Sequence, residues 1–271
     1  MHLIFFQFTF VLYLLGVGLA TTYIFLPRDA VGKAGVWVLG AGFVVHTVTL
    51  VTRTQAAGHT PVVNLHESLS FFAWAVMAAY MVFHRRYHAP ILGAFVSPLV
   101  LILILYASAC PQEIVPLQPA LKSFWLPIHT GVAFLANGFL SIAFCVGIMY
   151  LIQENRIKKK KIGKLHKLLP SLDVLDDISY RSLKIGFPLL TIGIITGAVW
   201  ASSAWGSYWS WDPKETWSLI TWLLYAALLH QRLTVGWRGR RAAIMTVAGF
   251  IAIIFTFLGV NLLLIGLHGY T

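Results

Sequence analysis

The sequence has few charged residues and very few cysteines. Only 11% of its 271 residues are charged and 58% are hydrophobic, whereas soluble domains carry about 25% charged and about 45–50% apolar residues. Its two cysteines, Cys110 and Cys145, lie far apart. This excludes a disulfide scaffold, a CxxC redox pair, a cysteine zinc site and an iron–sulfur protein. No CxxCH motif occurs, so the chain cannot itself carry covalently attached c-type haem.

Acidic residues are also scarce, with nine Asp+Glu against 20 Lys+Arg and a formal charge of +11. In a soluble protein this balance suggests a nucleic-acid partner, but the apolar runs are too long for a soluble fold. The runs are continuous rather than alternating, which favours membrane helices over a barrel. The sequence therefore predicts an all-α polytopic integral membrane bundle with about eight transmembrane helices, at roughly 3–26, 34–52, 68–84, 90–109, 127–152, 185–204, 215–233 and 243–267.

The basic residues indicate the orientation of these spans. Seventeen of the 20 lie in the segments that join spans 1–2, 3–4, 5–6 and 7–8, and only Arg53, Lys122 and Lys214 lie on the other side. By the positive-inside rule, we expect both termini outside and the basic 153–184 loop in the cytoplasm. The excess of basic residues therefore indicates the membrane topology of the chain and not a nucleic-acid partner. Span 1 is longer than the apolar region of a signal peptide, and no Lys or Arg precedes it, so we expect an uncleaved helix.

Tryptophan is concentrated between spans 6 and 7. Residues 200–217 read WASSAWGSYWSWDPKETW, which places Trp200, Trp205, Trp209, Trp211 and Trp217 in 18 residues, together with Tyr208. An interfacial aromatic belt explains one or two tryptophans per helix end. Five in one loop, interleaved with small residues such as Gly206, favour an apolar shelf for a large planar ligand.

Acidic residues follow this shelf in the sequence Asp212-Pro213-Lys214-Glu215. Proline is favoured in the first turn of a helix, and Asp212 can cap that helix. Glu215 is also favourable at the positive helix end. These residues therefore have a complete structural explanation, and a catalytic role for them stays open.

Two histidines lie level with the tryptophan-rich loop at the predicted outer interface. His129 begins span 5 and His268 ends span 8. Together they can supply imidazoles to the two faces of a planar metallocycle, since imidazole is a common axial ligand of haem iron. The alternative is a pair of interfacial histidines solvated by lipid headgroups.

Three further histidines lie in or next to predicted spans. His230 follows Glu215 by 15 residues and so lies about 22 Å deeper, near the cytoplasmic leaflet. His46 lies inside span 2, where an ionisable group is costly and tends to mark function. His66 lies at the start of span 3 and can simply belong to the helix entry, with Asn64 as the cap.

The segment WGSYWSWDPKETWSLITWLLYAALLHQR, residues 205–232, resembles the tryptophan-rich WWD signature of haem-handling membrane proteins. Its WDPKETW form is similar to the CcsA (ResC) family of System II cytochrome c biogenesis, and favours it over the related CcmC and CcmF families. The similarity extends to PVVNLHESLSFFAW, WLPIHTGVAFLANGFLS and NLLLIGLHGY. His66 departs from the family, which usually has tyrosine at this position.

This resemblance implies a protein that works with a CcsB (ResB) partner, moves haem b to the outer face and presents it to the CxxCH motif of apocytochrome c. It implies outer axial ligands at His129 and His268 and a transmembrane haem site at His230. The contacts expected to hold the haem come from the WWD loop, at Trp205, Gly206, Trp209, Trp211 and Asp212. The chain is then the membrane component of a cytochrome c synthase complex, in a bacterial inner membrane or a thylakoid membrane.

The predicted organisation is an N-terminal pair of spans, 1–59, followed by a cytochrome c assembly domain, 60–271. Three alternatives remain open. They are a CcmC-like exporter that hands haem to a chaperone, a transporter of another amphipathic substrate, and a quinone-reactive electron-transfer subunit. Haem ligation that required His46 rather than the outer pair would favour the last of these.

Overall fold

The computed structural model describes residues 1–117, 122–160 and 163–263, and within these ranges it contains helices and no strand. The helices are α1 (His2–Phe25), α2 (Asp29–Ala57), α3 (Leu65–Tyr87), α4 (Ile91–Ala109), α5 (Trp125–Lys158), α6 (Lys164–Leu168), α7 (Leu172–Trp205), α8 (Pro213–His230), α9 (Arg240–Ile254) and α10 (Val260–Leu263). Short π-helical segments follow α8 (Gln231–Val235) and α9 (Phe255–Gly259).

Seven helical segments are long and apolar enough to cross a membrane: α1 to α5, α7, and α9 with its π-helical extension. They correspond to predicted spans 1–6 and 8, which confirms the all-helical integral membrane fold. The seventh predicted span corresponds to α8. This helix has 18 residues, slightly fewer than the approximately 20 that cross the hydrocarbon core, and the π-helical turn lengthens it at its C-terminal end.

Two helices extend well beyond the predicted spans. α5 continues to Lys158 and α7 begins at Leu172, so much of the polar 153–184 segment is helical rather than an open loop. Ser171 caps α7 by accepting a hydrogen bond from the backbone N–H of Val174. At the other end, α7 continues to Trp205 and stops at Gly206, whose φ of 78° is left-handed. The prediction of one loop over 200–217 is therefore wrong: Trp200 and Trp205 lie in α7, Trp217 lies in α8, and residues 206–212 form the loop between the two helices.

The core lies around α3 and α5. Two thirds of the most apolar stretch of α3 is buried (67%), against 28% for α1. Small residues allow close approach of these helices, because association in lipid depends on packing rather than on the hydrophobic effect. At Gly138 on α5, an added Cβ would lie 2.5 Å from the carbonyl oxygen of Ala75 on α3. The central pair therefore packs backbone against backbone.

Candidate functional site

A cavity of about 420 Å³ lies between α5, α7, α8 and the C-terminal part of α9. Pockets for small molecules and cofactors typically have volumes of about 300–1,000 Å³ and a mainly apolar lining. The apolar wall here includes Phe134, Leu190 and Phe257. Polar residues also line the cavity, among them Asn64, His129, Thr130, Asn137, Lys214 and Glu215.

His129 lies in the first turns of α5, where it contacts α7. Its Nδ1 is 2.8 Å from the carbonyl oxygen of Gly193, and because a carbonyl can only accept, Nδ1 carries the proton. In the neutral ring the nitrogen lone pair is then on Nε2. Metal-ligating histidines typically donate their other ring N–H in this way, which fixes the tautomer and the ring orientation.

The His129 ring is held between a glycine and a tryptophan of α7. It stacks on Trp200 with ring centroids 5.9 Å apart and an interplanar angle of 9°. A Cβ added at Gly197 would lie 2.7 Å from Cε1 of His129 and 2.8 Å from Nδ1. The imidazole therefore has its position only because residue 197 has no side chain.

The tryptophans of the 200–217 segment lie in different environments. Trp200 is buried and packs edge-on against Trp205, with centroids 4.9 Å apart. Trp209 lines the cavity. Trp211 is 68% exposed, packs edge-on against Trp209 and has a φ of 58°. A bulky residue with positive φ is rare, and such strain often accompanies a functional constraint.

Asp212 and Glu215 form the start of α8, as their sequence pattern predicts. Asp212 accepts a hydrogen bond from the backbone N–H of Lys214, and the two acidic residues complete a capping box. Oε2 of Glu215 also accepts from the backbone N–H and the hydroxyl of Ser210. Their predicted capping role is confirmed, and the same contacts hold the loop in place.

The opposite wall of the cavity depends on a buried ion pair that the sequence reasoning missed. Arg53 of α2 donates to Glu67 of α3 at 2.9 Å, and both side chains are almost fully buried. Arg53 also donates to the carbonyl oxygens of Gln112 and Glu113. Glu67 accepts from the backbone N–H of Val63, which lines the cavity. Arg53 and Glu67 each lie one residue outside predicted spans 2 and 3, and the sequence carries no signal that pairs them.

Asn64 caps α3 through a hydrogen bond from the backbone N–H of Glu67, which confirms the sequence prediction. Its amide also donates to the carbonyl oxygen of Glu113. The ion pair and this asparagine together fasten the segments before α3 and after α4, both of which contribute to the cavity wall.

Three other histidines of interest, His46, His66 and His230, do not line this cavity. His46 is fully buried between Tyr13 and Ser70, with hydrogen-bond contacts at both ring nitrogens. His66 donates through Nδ1 to the carbonyl oxygen of Ala107. Both have structural partners between helices. His230 is exposed at the C-terminal end of α8, about 26 Å along the helix from Pro213. The predicted ligand His268 lies outside the described residues.

The fold and the cavity define an integral membrane helical protein with a cofactor-sized, aromatic-rimmed pocket. Residues 62–268 match the family model described as Cytochrome C assembly protein. The chain belongs to this cytochrome c assembly family.

Curated relatives agree with this assignment, and a solved structure shares the fold. The chain is similar to the cytochrome c biogenesis protein CcsA of Synechococcus sp. (strain CC9902), with 42% identity over 83% of this chain and 82% of the relative. It is also similar to CcsA of Guillardia theta, with 42% identity over 83% and 81%. The solved structure of cytochrome c heme lyase CcmF superposes with a TM-score of 0.70 and 17% identity, over 95% of this chain but 46% of that one. The last similarity supports the fold alone.

Proposed function

We propose that this chain binds haem in the cavity and presents it for covalent attachment to apocytochrome c. Its family and its CcsA relatives support a role in cytochrome c biogenesis. The observation that carries the proposal is His129, whose Nδ1–H donates to Gly193 while its ring stacks on Trp200 beside the cavity. Haem is the substrate of this site rather than a resident cofactor.

Nε2 of His129 is the proposed axial ligand on one face of the iron, and His268 is the proposed ligand on the other. Trp205, Trp209, Trp211, Gly206 and Asp212 are the proposed haem-binding residues of the 200–217 segment. Trp209 supplies lining, whereas Trp205 acts through Trp200. Flat aromatic surfaces suit a porphyrin because they stack on it and exclude water.

The attachment needs no cysteine from this chain. Each thiol of the apocytochrome motif adds across a haem vinyl group, so that one C–S bond forms, the thiol proton is taken up by the second vinyl carbon, and nothing leaves. The histidine of that motif then replaces one axial imidazole of this chain. Cys145 is buried in the core, where its thiol contacts the carbonyl oxygen of Phe95. The residues of this chain position the haem and keep water out.

The direction of haem movement and the partner also belong to this proposal. We place the cavity at the outer face of a bacterial inner membrane or a thylakoid membrane, with the basic 153–184 segment in the cytoplasm or stroma. Haem b enters near His230 and moves to the cavity. The exposure of His230 at the end of α8 fits a transmembrane site that a CcsB (ResB) subunit completes.

Absorption spectra of the purified protein test the ligand assignment. A low-spin bis-imidazole haem spectrum is expected in the wild type and is expected to be lost in His129→Ala and in His268→Ala. His88→Asn is the matched control, because His88 is exposed and has a φ of 48°, which asparagine tolerates. Unchanged spectra in both alanine variants would contradict the assignment. Haem that binds normally but is never attached to apocytochrome c by the reconstituted complex would favour the exporter alternative.

A further inference from the structure

The charged side chains at the cavity suggest how a ligand with carboxylates is oriented there. Among the residues that line it in the described part of the chain, Lys214 is the single cation and Glu215 the single anion. The Glu215 carboxylate accepts hydrogen bonds from the backbone N–H and hydroxyl of Ser210 and from the backbone N–H of Asp212. Its oxygen is therefore directed to the loop, and its charge is dispersed over three donors.

Lys214 lies in the first turn of α8, and its backbone N–H donates to Asp212 at 2.9 Å. The partial positive charge of a helix N-terminus adds to that of the ammonium group. Asp212 and Glu215 lie at the same helix end, so this end has no net positive charge, and a carboxylate is favoured there through direct contact with the Lys214 ammonium group, the one cation of the described lining. The remaining wall is mostly apolar or neutral, with His129 on the α5 side.

Haem carries two propionate carboxylates on one edge of the macrocycle and its vinyl groups towards the opposite edge. A carboxylate that leaves water for an apolar cavity is destabilised strongly unless a cation or hydrogen-bond donor compensates it. An axial bond to His129 holds the iron but leaves rotation about that bond undetermined. A second, charged contact at the start of α8 removes that freedom.

We infer that Lys214 binds a haem propionate and so sets which edge of the haem the cavity presents. With the propionate edge at the start of α8, the vinyl edge is directed away from α8, towards the incoming thiols. This inference rests on the proposed function, and it adds a residue and an orientation to it.

Two ligands that differ only in their carboxylates test this inference. The affinities of the full-length protein for haem and for haem dimethyl ester are measured by spectral titration in detergent. Lys214→Gln is expected to lower haem affinity at least about tenfold, because a charge-assisted hydrogen bond is lost. The same substitution is expected to leave the affinity for the ester within about twofold. Lys214→Arg, which keeps the charge, is expected to retain most of the haem affinity.

The matched control is Lys122→Gln, which removes an exposed lysine that does not line the cavity. An equal loss for haem and ester in Lys214→Gln would overturn the inference, because it would indicate that Lys214 only balances Asp212 and supports the loop. No loss for either ligand would overturn it as well. If the wild type bound neither ligand, the proposed function itself would fail, and this result differs from a failure confined to the lysine variant.

Discussion

Gly197→Ala tests whether the position of the His129 ring controls haem binding. The added Cβ would lie 2.7 Å from Cε1 and 2.8 Å from Nδ1 of the imidazole. To restore an ordinary 3.4 Å contact, the ring must move by about 0.7 Å. That movement disturbs the 2.8 Å hydrogen bond from Nδ1 to Gly193 and the stacking on Trp200. The variant retains the ligand and changes only its support.

The expected result is a fall in haem affinity of about 10–100-fold, the range found when the supporting partners of metal ligands are changed. The helix itself should not weaken, since alanine is favoured over glycine in a helix by about 1 kcal/mol. Haem titration monitored by the absorption of the iron–imidazole complex measures the affinity, and thermal unfolding of the same sample monitors the fold.

Gly131→Ala is the matched control, two residues after His129 in α5. Its added Cβ meets nothing within 4 Å and Gly131 does not line the cavity, so its haem affinity should stay near that of the wild type. Equal affinity in both variants would refute the reasoning, because the ring position would then be irrelevant. Equal losses would refute it too, since they would indicate a general effect of replacing glycine by alanine in these helices.

Three other substitutions test the surroundings of the cavity. Arg53→Met leaves Glu67 as a buried unpaired charge and should destabilise the protein by about 3–5 kcal/mol. Thermal unfolding in detergent should show that adding Glu67→Gln partly restores the melting temperature, and an unchanged melting temperature in the single variant would contradict this. Asp212→Ala removes the cap of α8 and should lower the stability of the helix by about 1 kcal/mol. The measurement is faster amide hydrogen exchange in the first turn of α8, and unaltered exchange would disprove the capping role. Trp211→Gly places a residue that tolerates positive φ at a strained position, so the free energy of unfolding should change by no more than about 1 kcal/mol. Haem titration should show weaker binding, and undiminished haem binding would argue against a contact between residue 211 and the ligand.

Much of the fold could be predicted because lipid imposes a simple rule on sequence. Continuous apolar runs must be helices, since no water is available for free backbone groups. Helix ends were less predictable. α5 and α7 extend into the polar 153–184 segment from its two ends, where hydropathy carries no signal but capping by Ser171 does.

The candidate site was predictable in its residue types and less so in its geometry. The pattern of Asp212 and Glu215 indicated a cap, and the capping box is present. The sequence could not indicate that Gly197 makes room for His129 or that Arg53 fastens the opposite wall, because both depend on contacts between distant helices. Likewise, the tryptophans of the 200–217 segment look equivalent in sequence, yet Trp200 is buried in α7 and Trp211 is exposed in the loop.

The central claim is that haem binds in this cavity with His129 as a ligand of the iron. A structure of the haem-loaded protein, with iron located by its anomalous scattering, tests it most directly. We expect an iron atom within coordination distance of Nε2 of His129, with the porphyrin beside Trp209. Iron found elsewhere in the bundle, for instance next to His46, with none near His129, would contradict it.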